Sequence, residues 1–300
     1  MHILRRRGWE LSERLVTPEP LVLGRRAALA GAGSVTLAAA APERNDKYPA
    51  GRDITPEKYA TTYNNYYEFS EGKNLWEAAQ VIKPRPWTIS LEGELKQPRT
   101  IAIDDLLGQV QLEERVYRHR CVEAWAMTVP WTGFPLSQLL KLAEPLGSAK
   151  YIVFETAQDP KMPGLQSPFY PWPYIEGLTL DEAANDLAFI STGMYGKPLP
   201  PQDGGPIRLT VPWKYGFKSA KALAKISFTE KRPVNFWQAI QPSEYGFWAN
   251  VNPDVAHPRW SQARERLLGS NEMVPTQIYN GYGEFVASLY TDRKNEKLFM

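Results

Sequence analysis

The chain contains 300 residues, of which 43% are hydrophobic and 12% aromatic, so a sizeable packed core is expected. Charged residues make up 23% and the formal net charge is +2, values that exclude a disordered polyelectrolyte and give no sign of a nucleic-acid-binding surface. The 26 prolines and 21 glycines, with only short helical patterns between them, favour many short strands over a helical bundle. We expect a globular protein of the α+β class.

The first 41 residues differ in composition from the rest of the chain. Several arginines precede the uncharged run AALAGAGSVTLAAAA at 27–41, which is shorter than the roughly 20 residues of a membrane-spanning helix. The run fits the hydrophobic region of a signal peptide, with an alanine-rich cleavage site near 39–41. The pair Arg25 and Arg26 predicts a twin-arginine signal, which exports folded proteins to the periplasm. An ordinary signal whose basic region contains two arginines is the alternative.

Export in the folded state favours a protein that receives a cofactor in the cytoplasm. No hydrophobic stretch after 1–41 approaches membrane length, so we expect a soluble periplasmic protein with no stable membrane insertion of its own. Cys121 is the one cysteine of the chain and cannot form an internal disulfide. The polar, proline-bearing segment 42–56 is predicted to be a tether, and 57–300 a single domain.

Short elements are predicted along that domain. The polar and aromatic segment TTYNNYYEFSEGK has no regular period and is predicted to be a loop that holds a ligand. Alternating or short apolar runs predict strands at 87–95, 114–120, 149–157, 187–194, 206–213 and 222–230. Short helices are predicted at 104–107, 133–145, 178–186 and 261–268.

Cys121 lies where a predicted strand runs out into a loop. A lone cysteine can be a small buried hydrophobic residue, but the nearby Arg118 and Arg120 can favour the thiolate that binds soft metals. A zinc site is disfavoured because the chain after residue 41 has only two histidines, His119 and His257. Thiol redox chemistry lacks a second cysteine, whereas a cysteine nucleophile with either histidine as its base stays open.

A second group of charged residues lies in the segment PPQDGGPIRLTVPWKYGFKSAK at 200–221. Arginine and lysine make charge-assisted hydrogen bonds and glycine allows close backbone approach, so the segment suits a bound anion such as a phosphate. A solvated strand face is the alternative. The charged residues concerned are Asp203, Arg208, Lys214, Lys218 and Lys221.

Three long blocks carry a family resemblance: RCVEAWAMTVPWTGFPL, the segment 200–221, and YGFWANVNPDVAHPRWSQARER. Together they resemble the bacterial periplasmic protein-methionine-sulfoxide reductase catalytic subunits of the sulfite-oxidase-like molybdopterin family. The resemblance extends over essentially the whole chain after the signal. It implies a mixed, strand-rich, sulfite-oxidase-like α+β fold for 57–300, with molybdopterin binding and catalysis in that one domain.

The resemblance implies a molybdenum–molybdopterin cofactor in its mononucleotide-free form, with Cys121 as the protein ligand of the metal. A soft thiolate suits molybdenum that also carries two dithiolene sulfurs. At Asp203 the family has asparagine, so this side chain can accept hydrogen bonds from the pterin amines but cannot donate them. The implied cofactor-binding residues are Asn64, Tyr67, Glu68, Thr156, Asp203, Arg208, Ser219, Ala220 and Lys221.

The implied reaction is the reduction of methionine sulfoxide, free or in oxidised periplasmic proteins, to methionine. We hypothesise that Glu123, two residues after the metal ligand, tunes the metal or donates protons, the alternative being an ordinary structural carboxylate. The chain has no haem motif and no flavin fingerprint, so electrons must come from another protein. The resemblance implies a haem-bearing membrane subunit that draws on the quinone pool, and the tryptophan-rich C-terminal third is a candidate docking region.

Two other functions stay open at this point. The same scaffold supports sulfite oxidases and other reductases of S- and N-oxides, and the choice of substrate depends on the shape of the pocket. The second alternative is an exported module that binds a pterin or an anion without turnover.

Overall fold

Two mixed β-sheets organise the part of the chain that the computed structural model describes, residues 42–300. The predicted twin-arginine signal, 1–41, lies outside the described residues. Residues Pro42–Met300 form one unit. Within 42–300, no helix combines the length and the apolar character needed to cross a bilayer. Mixed sheets with short helices confirm the predicted α+β class.

Most of the regular elements are strands, and the helices are short. The strands are β1 (Thr88–Gly93), β2 (Arg99–Ala102), β3 (Glu113–Arg120), β4 (Trp125–Pro135), β5 (Tyr151–Thr156), β6 (Ile175–Thr179), β7 (Phe189–Met194), β8 (Lys197–Pro198), β9 (Arg208–Thr210), β10 (Leu223–Thr229), β11 (Arg264–Leu267) and β12 (Met273–Pro275). The α-helices are α1 (Glu57–Thr62), α2 (Ile103–Leu107), α3 (Leu136–Ala143), α4 (Leu180–Ala184), α5 (Phe236–Ile240) and α6 (Gly283–Val286). Single 3₁₀ turns connect several of them.

The first sheet has the order β2-β1-β10-β5-β6. Strands β1 and β10 are parallel, with Leu91 opposite Ile226, and the other pairs are antiparallel. Because alternate side chains of a strand face opposite sides, β1 buries Ile89 and Leu91 and leaves its polar residues towards solvent. Strand β5 ends at Thr156, which places that residue at one end of the sheet.

The second sheet is built around β4, the longest strand, in which nearly every residue is buried. One edge of β4 pairs with β3 along its length, and the other edge pairs first with β11 and then with β7. Strands β8 and β9 extend the sheet from β7. At the bulge near Gly133 a Cβ atom would lie 2.0 Å from the Ile190 carbonyl oxygen, so only glycine allows β4 and β7 to meet there.

The structure confirms most of the predicted elements. Strands occur in the predicted runs that contain β1, β3, β5, β7, β9 and β10, and α2, α3 and α4 lie at predicted helices. Helix α4 begins with a capping box, in which Thr179 accepts from the Glu182 amide and Glu182 accepts from the Thr179 amide. The predicted helix at 261–268 is wrong, because Arg264–Leu267 pairs in parallel with the first residues of β4 and forms β11.

The segment 42–56, predicted to be a tether, lies packed along the second sheet. The Asn45 amide donates to the Glu114 carbonyl at 2.8 Å, and the Thr55 amide donates to the Thr128 carbonyl at 2.9 Å. The Tyr48 ring is 5% exposed and meets the Phe285 ring edge to face. These contacts bury apolar surface in a segment whose sequence is mainly polar, which is why composition alone predicted a tether.

A buried ion pair joins α4 to the turn after β9. Lys214 Nζ lies 2.5 Å from Glu182 Oε1, and both side chains are almost completely buried. The ammonium also donates to the Trp248 carbonyl and to Asn250 Oδ1, each at 2.8 Å. Burial lowers the pKa of Lys214 to about 8, against the opposing effect of Glu182. The ammonium is therefore stabilised in the folded protein only while the Glu182 carboxylate stays beside it.

We expect Lys214→Met to lower the free energy of unfolding by about 3–5 kcal/mol, because it leaves Glu182 buried without its partner. Urea denaturation of the complete protein measures the change. Lys214→Met combined with Glu182→Leu should be less destabilising than the single change, since both charges are then absent.

The pair Lys96–Glu144 provides the control, because both side chains are more than half exposed at a separation of 2.8 Å. Lys96→Ala should cost no more than about 1 kcal/mol. A Lys214→Met protein as stable as Lys96→Ala would contradict the stabilising role of the buried pair.

Candidate active site

One cavity contains Cys121, Glu123 and every cofactor-binding residue that the family resemblance implied. It encloses about 830 Å³ of empty space including its open mouth. Its walls come from the loop after α1, the turn after β3, the end of β5 and the segment from Asp203 to Lys221. The predicted residues on these walls are Asn64, Tyr67, Glu68, Cys121, Glu123, Thr156, Asp203, Arg208, Ser219, Ala220 and Lys221.

Cys121 lies on the tight turn that connects β3 to β4. Its amide donates to the Trp125 carbonyl at 2.9 Å, and its carbonyl accepts from the Ala124 amide at 3.1 Å. Ala124 has a left-handed backbone with φ of 61°, a strained conformation for alanine that the closure of this turn requires. The side chain is only 4% exposed and faces the cavity.

The two arginines beside Cys121 point away from its sulfur. Arg118 donates to the Ala50 carbonyl, and Arg120 donates to the Cys121 carbonyl and forms an ion pair with Glu265. Burial raises the pKa of the Cys121 thiol to about 12, and the Glu123 carboxylate adds to the rise. Arg120 acts to lower this pKa but does not offset those effects, so the thiol of the metal-free protein is protonated at neutral pH.

A polar cluster surrounds the sulfur on the cavity side. Asn65 Nδ2 lies 3.3 Å from Cys121 Sγ and 3.3 Å from Glu123 Oε2, and Lys73 Nζ lies 2.6 Å from the same Glu123 oxygen. Trp125 Nε1 donates to that oxygen at 3.2 Å. Burial acts to raise the pKa of Glu123, but these donors together lower it below its ordinary value. Glu123 is thus a carboxylate at neutral pH.

Neither histidine is placed to activate the thiol. His119 lies in the cavity wall, where burial, reinforced by Arg208 and Lys221, lowers its pKa to about 3. A base this weak cannot take a proton from a thiol whose pKa is about 12. His257 stacks on Trp260 at 3.8 Å and lines none of this cavity. Between residues 42 and 300, no three histidine, cysteine, aspartate or glutamate side chains converge on a metal site.

Buried polar side chains form a second wall. Asn64 Nδ2 donates to Asp203 Oδ1 at 2.7 Å, and Thr156 Oγ1 donates to Glu68 Oε1 at 2.8 Å. Asn64 Oδ1 and Asp203 Oδ2 are buried without a hydrogen-bond partner. Since buried polar atoms are normally paired, these orphaned oxygens at the cavity are suited to accept hydrogen bonds from a ligand.

Two buried cations lie at this polar wall. Arg208 donates to the Asp203 and Ser219 carbonyls at 2.8 and 3.1 Å, and Lys221 donates to the Asn65 and Gln202 carbonyls at 3.0 and 2.8 Å. Neither cation has a carboxylate within salt-bridge distance among residues 42–300. Burial, with the neighbouring Arg208, lowers the pKa of Lys221. An anion in the cavity would compensate both charges.

The other two lysines of the predicted anion site do not belong to it. Lys214 pairs with Glu182, as described above, and Lys218 Nζ lies 2.7 Å from Glu176 Oε2 with both side chains fully buried. Their assignment to a phosphate pocket is wrong, because each is neutralised inside the core.

Gly204 has a left-handed backbone with φ of 98° and lies against Lys221. A Cβ atom at position 204 would lie 2.8 Å from the Lys221 Cβ, so glycine lets the chain pass this residue.

Several cavity residues were not predicted from the sequence. Asn65 and Lys73 lie in the segment predicted to hold a ligand. The resemblance implies a cofactor contact only for Asn64 of the two adjacent asparagines, and no sequence pattern distinguishes Lys73. The remaining wall is aromatic, and aromatic residues are so frequent along this chain that none stands out. These unpredicted lining residues are Asn65, Tyr63, Tyr66, Trp125, Tyr174, Phe217, Trp237 and Tyr245, and Lys73 lies behind Glu123.

Comparison with known proteins agrees with this site. Residues 76–237 match the oxidoreductase molybdopterin binding domain. A protein-methionine-sulfoxide reductase catalytic subunit MsrP from Burkholderia mallei (strain ATCC 23344) is 48% identical over 279 residues, covering 91% of this chain and 84% of the relative. Another MsrP catalytic subunit, from Pseudomonas syringae pv. tomato (strain ATCC BAA-871 / DC3000), is 54% identical over 245 residues, covering 79% and 73%.

A solved structure, the sulfane dehydrogenase SoxCD from Paracoccus pantotrophus, is 15% identical with a TM-score of 0.45, covering 72% of this chain and 60% of that one. That similarity is too low to add to the argument. The two relatives and the domain match, each covering more than half of the chain, confirm the resemblance. The chain belongs to the family of protein-methionine-sulfoxide reductase catalytic subunits, which carry an oxidoreductase molybdopterin binding domain.

Proposed function

We propose that this protein reduces methionine sulfoxide, free and in oxidised proteins, to methionine at a molybdenum centre bound by Cys121. The observation that carries the proposal is the position of the one thiol, which faces a cavity that also contains unpaired buried acceptors and two buried cations. Family membership supports the same activity.

The residues present fit a molybdenum–pterin cofactor. Asn64 Oδ1 and Asp203 Oδ2 are free to accept from pterin amines, and Lys221 and Arg208 are placed to bind its phosphate. Tyr67, Glu68, Thr156, Ser219 and Ala220 complete the cofactor-binding wall. We propose the mononucleotide-free form, since these two cations suit a single phosphate group.

Metal binding would convert the protonated Cys121 thiol into a thiolate ligand. The Cys121 thiol is protonated at neutral pH in the metal-free protein, and a soft metal displaces that proton when it binds. Asn65 Nδ2, at 3.3 Å, orients the sulfur. When bound, the cofactor supplies the two-electron redox chemistry.

Reducing a sulfoxide to a thioether consumes two electrons and two protons and releases water. Lys73 is the proton donor to the sulfoxide oxygen in our proposal, and Glu123 Oε2, 2.6 Å from Lys73 Nζ, holds its ammonium in place. This revises the hypothesis that Glu123 itself is the donor, because its lowered pKa keeps it ionised. Lys73 is 24% exposed, so it can be reprotonated from solvent.

The charges near Cys121 favour a neutral sulfoxide over sulfite. Lys73 is paired with Glu123, and Arg118 and Arg120 are engaged away from the sulfur. With the cofactor phosphate bound by Arg208 and Lys221, an anionic substrate would therefore meet no unpaired cation beside the thiol, while Tyr67 and Trp237 offer apolar walls suited to a thioether and its sulfoxide.

The electron donor and the location of the protein belong to the same proposal. One cysteine in the chain leaves no sequence for covalent haem attachment. We propose that a haem-bearing membrane subunit delivers electrons from the quinone pool. The arginine pair at 25–26 supports export of the folded, loaded protein to the periplasm, where oxidised proteins are the substrates.

Turnover of the purified, metal-loaded protein tests the function. With a reduced viologen as electron donor, we expect equimolar molybdenum and rapid consumption of methionine sulfoxide, with little oxidation of sulfite. Faster turnover of sulfite would favour the oxidase alternative. A folded protein without molybdenum, purified from its native host, would favour the non-catalytic binding module.

Cys121→Ser should leave a folded chain but lower sulfoxide reduction by about 10³-fold or more, because a hard oxygen replaces the soft ligand. The spectrum of the metal centre should change together with the activity. Circular dichroism checks the fold, and near-normal turnover would rule out Cys121 as the metal ligand.

Glu123→Gln should lower kcat by about 10²-fold with little change in KM, because the neutral amide cannot hold the Lys73 ammonium in place as the proton donor. The wild-type carboxylate has a lowered pKa, so the wild-type rate should not depend on Glu123 titration above about pH 5. Kinetics between pH 5 and 9 measure both effects. Glu155→Gln, which alters a carboxylate paired with Lys225 outside the cavity, is the control and should change neither constant.

Lys221→Ala should reduce molybdenum content about tenfold, because the cofactor phosphate loses a charge-assisted contact worth roughly 1.5–3 kcal/mol. Metal analysis of the purified protein measures the loss. The matched control is Lys225→Ala, since Lys225 is paired with Glu155 on the first sheet. Equal molybdenum in both variants would contradict the phosphate-binding role.

A further inference from the structure

The depth of Cys121 in the cavity restricts how a protein substrate can reach the metal that we propose it binds. The thiol is 4% exposed and lies inside the cavity, so a methionine sulfoxide must enter as an extended side chain. A methionine side chain is unbranched and flexible, whereas its backbone and neighbouring residues are too bulky to follow it. The residues that flank the sulfoxide in a protein therefore lie against the mouth of the cavity.

Aromatic side chains extend from the cavity wall to the surface. Tyr67 and Trp237 line the cavity with ring centroids 4.8 Å apart. Tyr67 meets Tyr170 at 5.8 Å, and Tyr170 meets Trp172 at 5.5 Å, both outside the cavity lining. Phe169, next in the chain, is 85% exposed. We call Tyr67, Phe169, Tyr170, Trp172 and Trp237 the aromatic rim.

The aromatic rim is held in place by the same loops that form the site. Tyr170 OH donates to Glu71 Oε1 at 2.6 Å, which links it to the loop containing Tyr67. The Gly164 amide donates to the Glu68 carbonyl at 2.8 Å, and a Cβ at Gly164 would lie 2.0 Å from the Tyr67 carbonyl oxygen. The buried Phe236 packs against Trp172 at 5.1 Å. Phe169 is thus joined through the chain to Tyr170, whose ring these contacts hold in place.

We propose that the aromatic rim binds the apolar residues flanking a methionine sulfoxide in an unfolded polypeptide. This rests on the proposed function, because it concerns the substrate of that same site. The rim is continuous with the catalytic cavity, and Glu71, the carboxylate that contacts it, is engaged by Tyr170. Methionine occurs mainly in protein cores, so the apolar residues of the segment that contains it become accessible when the protein unfolds. An exposed aromatic surface matches such a segment.

Phe169→Ala in the metal-loaded protein tests the proposal. The substrates are free methionine sulfoxide and two short peptides, with leucine or aspartate on each side of the sulfoxide. We expect KM for the leucine peptide to rise about tenfold, the loss expected for one large apolar contact. Kinetics with free methionine sulfoxide should be unchanged, and the wild type should prefer the leucine peptide.

Leu146→Ala is the matched control, because Leu146 is an exposed apolar residue, at 40%, that lines none of the cavity. This variant should leave the kinetics with all three substrates unchanged. Binding of the reduced leucine peptide, followed by intrinsic fluorescence, gives a second measurement and should weaken only in Phe169→Ala.

Unchanged kinetics and binding of the leucine peptide in Phe169→Ala would overturn the proposal. Equal losses for the peptide and free methionine sulfoxide would also overturn it, since they indicate a damaged site. If Phe169→Ala instead weakens binding to anionic lipid vesicles without affecting the peptide, the rim is a membrane-contacting surface and the proposal is wrong. Failure of the wild type to reduce free methionine sulfoxide would be a failure of the proposed function itself.

Discussion

The buried ion pair between Arg120 and Glu265 determines where the single thiol lies. Arg120 Nε is 2.6 Å from Glu265 Oε2 and both side chains are fully buried, so the pair attracts strongly in a medium of low dielectric constant. Arg120 also donates to the Cys121 carbonyl, and Gln262 Oε1 accepts from Arg120 at 2.8 Å. The charge that β11 contributes thus holds the turn that carries the proposed metal ligand.

Further contacts from the same C-terminal segment fix the next residue. Trp260 Nε1 and Gln262 Nε2 both donate to the Val122 carbonyl at 2.8 Å. With Ala124 strained into a left-handed conformation, the turn from Cys121 to Ala124 has little freedom to move the sulfur. If Cys121 alone binds the metal, as we propose, it needs this support, because no second protein ligand would correct an error in its position.

The cavity separates charges by function. Lys221 and Arg208 lie at the polar wall, where an anion can compensate them, whereas Lys73 beside the thiol is already paired with Glu123. Each buried cation is costly unless it is compensated, so the arrangement directs negative charge to one part of the cavity and leaves the aromatic part suited to a neutral group. Cofactor and substrate can then share one pocket without competing for the same contacts.

The sequence by itself determined the class of fold, most strands and the segments that line the cavity, including the one with Cys121. These features depend on local periodicity and on long family-specific blocks. It could not assign Lys214 and Lys218, since pairing with Glu182 and Glu176 depends on which residues the sheets bring together. It also predicted a helix where the edge of β4 imposes β11, and a tether where Tyr48 finds a buried site. Only the tertiary structure decided which charges are neutralised in the core and which face the cavity, because electrostatic partners are set by distance in space, and that distance is invisible in the order of the residues.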